Sequence, residues 1–214
     1  MQTVSLFDSS APRSESDRHY ARFVVGADPS VVYYRSFLDQ ADAARYFGVF
    51  VRELAWRQEA VMMYGKRMPV PRLTAWFADP GVRYTYSNLK NSPMSWTPEL
   101  IELRSTVESF LQKRFNSVLL NRYRDGNDSV AWHSDDETEL GDRPLIASVS
   151  LGCSRLFRLR DATDRRARGS VELESGSLLV MSGDSQRAYQ HCVPKEHRPV
   201  GERINLTFRI TGKP

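Results

Sequence analysis

"RINLTFRI", residues 203–210, reads as a strand with two different faces. Side chains alternate across a strand, so Arg203, Asn205, Thr207 and Arg209 share one side while Ile204, Leu206, Phe208 and Ile210 share the other. An edge strand with one wet face has this pattern. So does a strand lining a cavity for a small dianion, where each of two guanidinium groups grips a carboxylate by paired charge-assisted hydrogen bonds. A dicarboxylate is the natural ligand of such a face. Outward from this strand, "SVLLNRY", "LIASVSLG", "RLFRLR" and "SLLVMSG" are further short apolar or alternating runs beyond Asn116, separated by Gly, Asp, Pro and Ser clusters. Their regular spacing predicts an antiparallel β core, a barrel or jelly roll, in preference to alternating βαβ units.

Two helices are expected ahead of that core. In "FLDQADAARYFGVFVREL" Asp39 is an N-cap, with Ala43, Phe47, Phe50, Val51 and Leu54 at helical spacing. In "WTPELIELRSTVESFLQKRF" Thr97 caps, Pro98 takes the first helical position, and Leu100, Leu103, Val107, Phe110 and Leu111 form one stripe. Residues 1–20 are polar and aperiodic and read as a mobile tail. The remainder, 21–214, is expected to be one α+β, mainly β domain with helices packed on the core.

The chain has 214 residues, 41% of them hydrophobic and 26% charged, an ordinary globular composition. No run of about 18 apolar residues and no signal-like start occurs, so neither a membrane span nor a secretory signal is expected, and the expected location is cytoplasmic. Cys153 and Cys192 are too few for a disulfide framework or a multi-cysteine zinc site. The net charge of +4 favours a polyanionic partner. Six arginines fall in "SRLFRLRDATDRRARG" (154–169), where a solvated loop with basic flanks competes with a binding patch.

"AWHSDDE" (131–137) places His133 and Asp135 on one face of an extended segment and Asp136 on the other. Of the remaining histidines, His19 lies in the tail and His197 in the polar loop "PKEHRPVGE". His191, which follows "SLLVMSG", is the better third ligand. Two histidines and a carboxylate form the facial triad that suits non-haem Fe(II), leaving positions for co-substrate and oxygen. Zinc accepts the same three ligands.

"NRYRDGNDSVAWHSDDE", "IASVSLG", "SLLVMSG", "QHCVPKE" and "RINLTFR" together resemble the AlkB family of iron- and 2-oxoglutarate-dependent dioxygenases, and most of all its nucleic-acid-repair members. The resemblance extends upstream through "VPRLTAWF" and "YTYS", covering about residues 60–211. It implies a double-stranded β-helix, a cupin-like jelly roll over about 116–211 with a hairpin lid over about 60–90. Fe(II) is then held by His133, Asp135 and His191. Arg203 and Tyr123 meet the far carboxylate of 2-oxoglutarate, while Arg209, Asn205 and Asn121 hold the end that chelates iron. Arg122 and Arg124 receive no role.

The implied reaction consumes O2 and 2-oxoglutarate, releases succinate and CO2, and removes the N-methyl group of N1-methyladenine or N3-methylcytosine as formaldehyde. The implied partner is alkylated single- or double-stranded DNA, with RNA as a further candidate, acted on by a monomer. A base reaches the iron only when flipped out or presented single-stranded. By resemblance, Tyr86 stacks on it against His133, with Tyr84 and Ser87 nearby. Glu137 meets its exocyclic amino group and Asp136 supports the loop. In "MMYGKRMPVPR" (62–72) Met63, Tyr64 and Gly65 form the tip of a hairpin wedge beside Lys66 and Arg67. Arg72 is expected to contact the nucleic-acid backbone or brace the hairpin. Three other readings compete: a protein or small-molecule hydroxylase with the same cofactors, a catalytically silent nucleic-acid-binding relative, and a zinc hydrolase. The last gives Arg203 and Arg209 no purpose.

Overall fold

The computed structural model describes residues 21–63, 65–82, 84–86, 89–91 and 93–212. The expected tail, residues 1–20, lies outside them. A hairpin of β1 (Ala21–Val25) and β2 (Asp28–Tyr34) leads into α1 (Gln40–Glu53). The hairpin of β3 (Ala60–Met63) and β4 (Lys66–Pro69) follows, then β5 (Leu73–Ala78), the short pair β6 (Tyr84–Tyr86) and β7 (Leu89–Asn91), and α2 (Pro98–Leu111). The rest comprises β8 (Ser117–Tyr123), β9 (Val130–His133), β10 (Ile146–Gly152), β11 (Arg155–Asp161), β12 (Ala167–Leu173), β13 (Ser177–Met181), the turn α3 (Ser185–Ala188), β14 (Tyr189–Val193) and β15 (Arg203–Arg209). Among the described residues no helix is long and apolar enough to cross a membrane.

Both helices start as their caps dictate. The Asp39 carboxylate accepts from Asp42 N at 2.7 Å, and Thr97 Oγ1 accepts from Leu100 N at 3.3 Å ahead of Pro98. On α1 the buried residues are Ala43, Tyr46 and Phe50. On α2 Leu100, Leu103 and Val107 are buried, but Phe110, expected in the stripe, is 45% exposed. It lies edge-on to Tyr34 and Phe37 at the rim of the helix layer.

The strands form a jelly roll of two antiparallel sheets. The larger runs β1-β2-β13-β10-β15-β8-β5 and the smaller β12-β11-β14-β9. The core expected over 116–211 therefore recruits β1, β2 and β5 from upstream of residue 116. Two-sided burial explains this. In "VVYY" of β2, Val32 and Tyr34 join the cluster under the helices, whereas Val31 and Tyr33 join the cluster between the sheets. Such a strand reads as a continuous apolar run without alternation.

The same layering fixes the face of β15. Ile204, Leu206 and Phe208 pack toward the helices with Phe50, Leu100 and Leu103, so Arg203, Asn205, Thr207 and Arg209 must face the gap between the sheets. Because β15 pairs with β10 on one side and β8 on the other, it is an interior strand, and all seven of its residues are buried. The edge-strand reading is thereby excluded.

Arg155, expected among the basic flanks of a loop, is instead 1% exposed. Its Nη1 donates to Asp125 O at 3.2 Å and its Nη2 to Asp128 O and Pro194 O at 2.9 and 2.6 Å. One guanidinium thus ties the loop before β9 to the end of β14. Removing it by Arg155→Ala strips three backbone carbonyls of a charged donor. We expect a loss of at least about 3 kcal/mol, seen as a melting temperature lowered by roughly 6–12 °C. A change inside about 2 °C in thermal denaturation counts against this bracing role.

Candidate active site

Between the sheets, β8, β10 and β15 present a polar inner face set by register. Tyr123 stands opposite Arg203, Asn121 opposite Asn205, Ser150 opposite Asn205, and Ser148 opposite Thr207. Arg203 Nη2 donates to Ser150 Oγ at 2.8 Å and to Asn205 Oδ1 at 3.0 Å. Ser148 Oγ donates to Asn205 Oδ1 at 2.7 Å, and Asn205 Nδ2 to Thr207 Oγ1 at 2.7 Å. This chain leaves Nε and Nη1 of Arg203 buried with no hydrogen-bond acceptor, although the Tyr123 ring lies 5.0 Å from the guanidinium. Burial presses the Arg203 pKa downward, and Tyr123 offsets part of that. Two unanswered donors on a buried cation are the chemical signature of a site for an anion.

At the other end of this cavity His133, Asp135 and His191 converge, one ligand atom from each lying within 4.8 Å of the others. The convergence comes from pairing: β9 and β14 are neighbours, with His133 directly opposite His191. Their rings sit 4.2 Å apart, and Phe157 stacks on His191 at 5.3 Å. Nδ1 of His133 lies 2.9 Å from Ala131 O, an atom that can only accept, so Nδ1 carries the proton and Nε2 is left as the donor atom for a metal. Asp135 follows β9 and is buried. Its backbone N–H donates to Gln186 Oε1 at 2.9 Å, and Arg209 Nη2 donates to its Oδ2 at 2.7 Å.

Burial works to raise the Asp135 pKa, but the charges of Arg209, His191 and His133 and the Arg209 hydrogen bond outweigh it and hold it at about 2. Burial and the neighbouring His133 push His191 down to about 3. An ionised carboxylate and an unprotonated imidazole are the forms that bind a cation. Two imidazole nitrogens and one carboxylate oxygen, beside a buried guanidinium with donors to spare, fit a ferrous ion with a dicarboxylate next to it.

The sequence matches the family model of the 2OG-Fe(II) oxygenase superfamily over residues 30–209. It is 39% identical to the mouse alpha-ketoglutarate-dependent dioxygenase alkB homolog 3, in an alignment covering 84% of this chain and 65% of that protein. It is 33% identical to the DNA oxidative demethylase ALKBH2 of Arabidopsis thaliana, covering 98% of this chain and 75% of the relative, and 37% identical to human ALKBH2, covering 82% and 71%. The chain belongs to the AlkB family. The chain spans just under two thirds of the length of the mouse relative; the family it belongs to is one of Fe(II)- and 2-oxoglutarate-dependent oxygenases, and the His-Asp-His cluster is a candidate site for that metal. The solved structure of OsALKBH1 aligns with 89% of this chain and 99% of its own at a TM-score of 0.61 and 20% identity, which bears on the fold alone.

The other expected site residues of this AlkB-family chain are placed as follows. Arg72 was expected to contact the nucleic-acid backbone or to brace the hairpin. It is only 8% exposed, and its Nε donates to Asn121 Oδ1 at 2.8 Å, so its side chain lines the cavity. The reason is its place before β5, where Thr74 pairs with Asn121 and the alternation turns position 72 inward as well. Gly65, at φ 73° in the turn of the β3–β4 hairpin, adopts a conformation that suits glycine, and Lys66 and Arg67 are exposed on β4. Met63 closes β3, and Tyr84 and Tyr86 stand opposite Asn91 and Leu89 in the β6–β7 pair, described through their backbones. Tyr64 and Ser87 lie outside the described residues. Asp136 is exposed and Glu137 half-buried.

Three participants went unread in the sequence. Ser148 and Ser150 carried a usable signal, the polar alternation in "IASVSLG"; Gln186 carried none. Arg122 and Arg124, which received no role, bind Glu202 and Asp128. Gln186→Leu removes the acceptor that fixes the Asp135 backbone. Outer partners of metal ligands typically matter ten- to hundredfold, so iron affinity is expected to fall by about that factor in a ferrous titration.

Proposed function

We propose that the protein repairs N-alkylated bases in DNA by oxidative demethylation, N1-methyladenine and N3-methylcytosine being the main substrates and succinate, CO2 and formaldehyde the other products. One observation carries the reading: a His-Asp-His cluster, buried at Asp135 and His191, shares its cavity with an arginine that has unanswered donors, in a chain similar over most of its length to proteins named as DNA oxidative demethylases. Bound there, iron, 2-oxoglutarate and O2 supply the oxidising chemistry that hydroxylates the N-methyl carbon.

His133, Asp135 and His191 hold the metal. Arg203, with Tyr123 beside it, takes the far carboxylate of 2-oxoglutarate, and Arg209, Asn205 and Asn121 hold the end nearest the metal. Arg72 fixes the Asn121 amide, and Arg209 also steadies Asp135. His133 is the most exposed of the three ligands, with 37% of its side chain open, so its ring forms one wall of the entrance and Tyr86 is assigned to the opposite face of the base. Tyr84 and Ser87 are assigned to contacts with the same base, Glu137 to its exocyclic amino group, and Asp136 to support of the loop. N1-methyladenine and N3-methylcytosine are cationic, so a tyrosine face and nearby carboxylates favour them over the neutral unmodified base. Met63, Tyr64 and Gly65 of the hairpin enter the base stack, with Lys66 and Arg67 on phosphates.

The test is formaldehyde and succinate release from oligonucleotides carrying either lesion, as single- and double-stranded DNA and as RNA. One formaldehyde per lesion from DNA is expected. Succinate release that no methylated nucleic acid stimulates, but a peptide does, transfers the protein to a different substrate class.

A further inference from the structure

The two largest fully buried side chains among the described residues are both arginines, Arg155 and Arg203, each 1% exposed. Neither is bonded to a carboxylate. Arg203 donates to Ser150 Oγ and Asn205 Oδ1, and Arg155 to the backbone carbonyls of Asp125, Asp128 and Pro194. The Nε of each is buried with no acceptor.

Both guanidinium groups meet one aromatic ring. That of Arg203 lies 5.0 Å from the centre of the Tyr123 ring and that of Arg155 lies 5.5 Å from it, so the two cations are no further apart than those distances laid end to end. The acids in this neighbourhood are already committed. The Asp128 carboxylate answers Arg124 at 2.7 and 2.9 Å, leaving only the backbone of that residue to Arg155, and Asp135 at the metal end is paired with Arg209.

Carbonyl dipoles satisfy hydrogen bonds but carry no net charge. Neutral donors could tie the same three carbonyls together, whereas a cation held in the dry interior without a counter-charge is costly. Two such cations on one ring leave this end of the cavity with an excess of positive charge that an arriving anion cancels. Arg203 and Tyr123 line the cavity and Arg155 does not, so its charge reaches a ligand across the ring.

We propose that Arg155 is a positioning residue for the co-substrate: from behind Tyr123 its charge strengthens the hold on the far carboxylate, and so helps the cavity select a keto acid with two carboxylates over one with a single carboxylate. The assignment rests on the reading above that Arg203 takes the far carboxylate, and it does not depend on which molecule is demethylated.

The test is a binding measurement. The full-length, Fe(II)-loaded protein is titrated calorimetrically without oxygen, once with 2-oxoglutarate and once with 2-oxopentanoate, which keeps the keto acid end and the chain length but has a methyl group in place of the far carboxylate. The quantity read is the ratio of the two Kd values. Arg155→Gln keeps an amide that donates to carbonyls and loses the charge, while Arg155→Lys keeps the charge and loses the planar fork. Both lose part of the bracing and should melt earlier, so stability does not separate them.

A unit charge about 10 Å from its partner, at an effective dielectric constant of about 20 to 40, changes affinity by a factor of about four to fifteen. In Arg155→Gln the preference for 2-oxoglutarate should fall by that factor, through weaker 2-oxoglutarate binding alone, with the Kd for 2-oxopentanoate within about twofold of wild type. In Arg155→Lys the preference should stay within about twofold of wild type. Arg155→Met, also neutral, should match Arg155→Gln and replaces it if the glutamine variant does not fold.

A neutral variant that keeps the wild-type preference overturns the proposal. So does equal weakening of both keto acids, or a lysine variant that loses as much preference as the glutamine one, because either result reduces Arg155 to a brace between loops. A wild type that binds both keto acids alike removes the far carboxylate from Arg203 and this assignment with it. A wild type that prefers 2-oxoglutarate yet releases no formaldehyde from methylated DNA fails the repair reading and leaves Arg155 to be judged by its variants.

Discussion

Replacing Asp135 with alanine is expected to abolish formaldehyde release and to destabilise the fold in the same step. The catalytic loss follows from removing the one carboxylate among three converging ligands. The stability loss follows from Arg209, whose side chain is 8% exposed and which loses a carboxylate at 2.7 Å. Breaking a buried ion pair from one side costs about 3–5 kcal/mol, which at this chain length lowers the melting temperature by roughly 6–20 °C. Asp135→Asn separates the two effects: it keeps the volume and an acceptor for Arg209, so much of the stability should return while ferrous binding does not. An alanine variant that retains iron and turns over within a few-fold of wild type would show that Asp135 is not a ligand.

The second large effect is expected at Arg203. Its Nε and Nη1 have no acceptor, while Nη2 is engaged by Ser150 and Asn205, so an arriving carboxylate finds a guanidinium already fixed in orientation. Losing a charge-assisted contact of about 1.5–3 kcal/mol raises the 2-oxoglutarate concentration needed for half-maximal succinate release about ten- to hundredfold. Arg203→Ala gives the full effect and leaves a void. Arg203→Lys guards against mere misfolding, because it keeps a positive charge but lacks the planar fork, and an intermediate requirement is expected. Half-saturation that stays at the wild-type value in both variants would detach Arg203 from the co-substrate.

How much of this was legible beforehand depended on whether a residue's role was set by local alternation or by distant packing. The two faces of "RINLTFRI" could be read because a strand repeats every two residues, and the same parity aligned Asn121 with Tyr123. Which face was wet could not be read that way, since it depends on helices from residues 40–53 and 98–111 covering the other side. The metal ligands were legible only as a pattern of residue types; their meeting relies on β9 pairing with β14 across more than fifty residues. Arg155 and Arg72 looked like surface arginines because nothing local distinguishes an arginine that caps buried carbonyls from one in solvent. The upstream strands β1 and β2 escaped notice for the opposite reason: burial on both faces erased the alternation.

The position of β15 has a consequence for how such a protein can diversify. The side chains that face the cavity from it sit on an inner strand bonded along both edges, whereas β3–β4 and β6–β7 form two-stranded sheets of their own outside the two main sheets. Changes in loop length or composition there leave the interior ladder untouched. A lineage can therefore acquire new target preferences by rewriting its periphery while inheriting its oxidative centre intact.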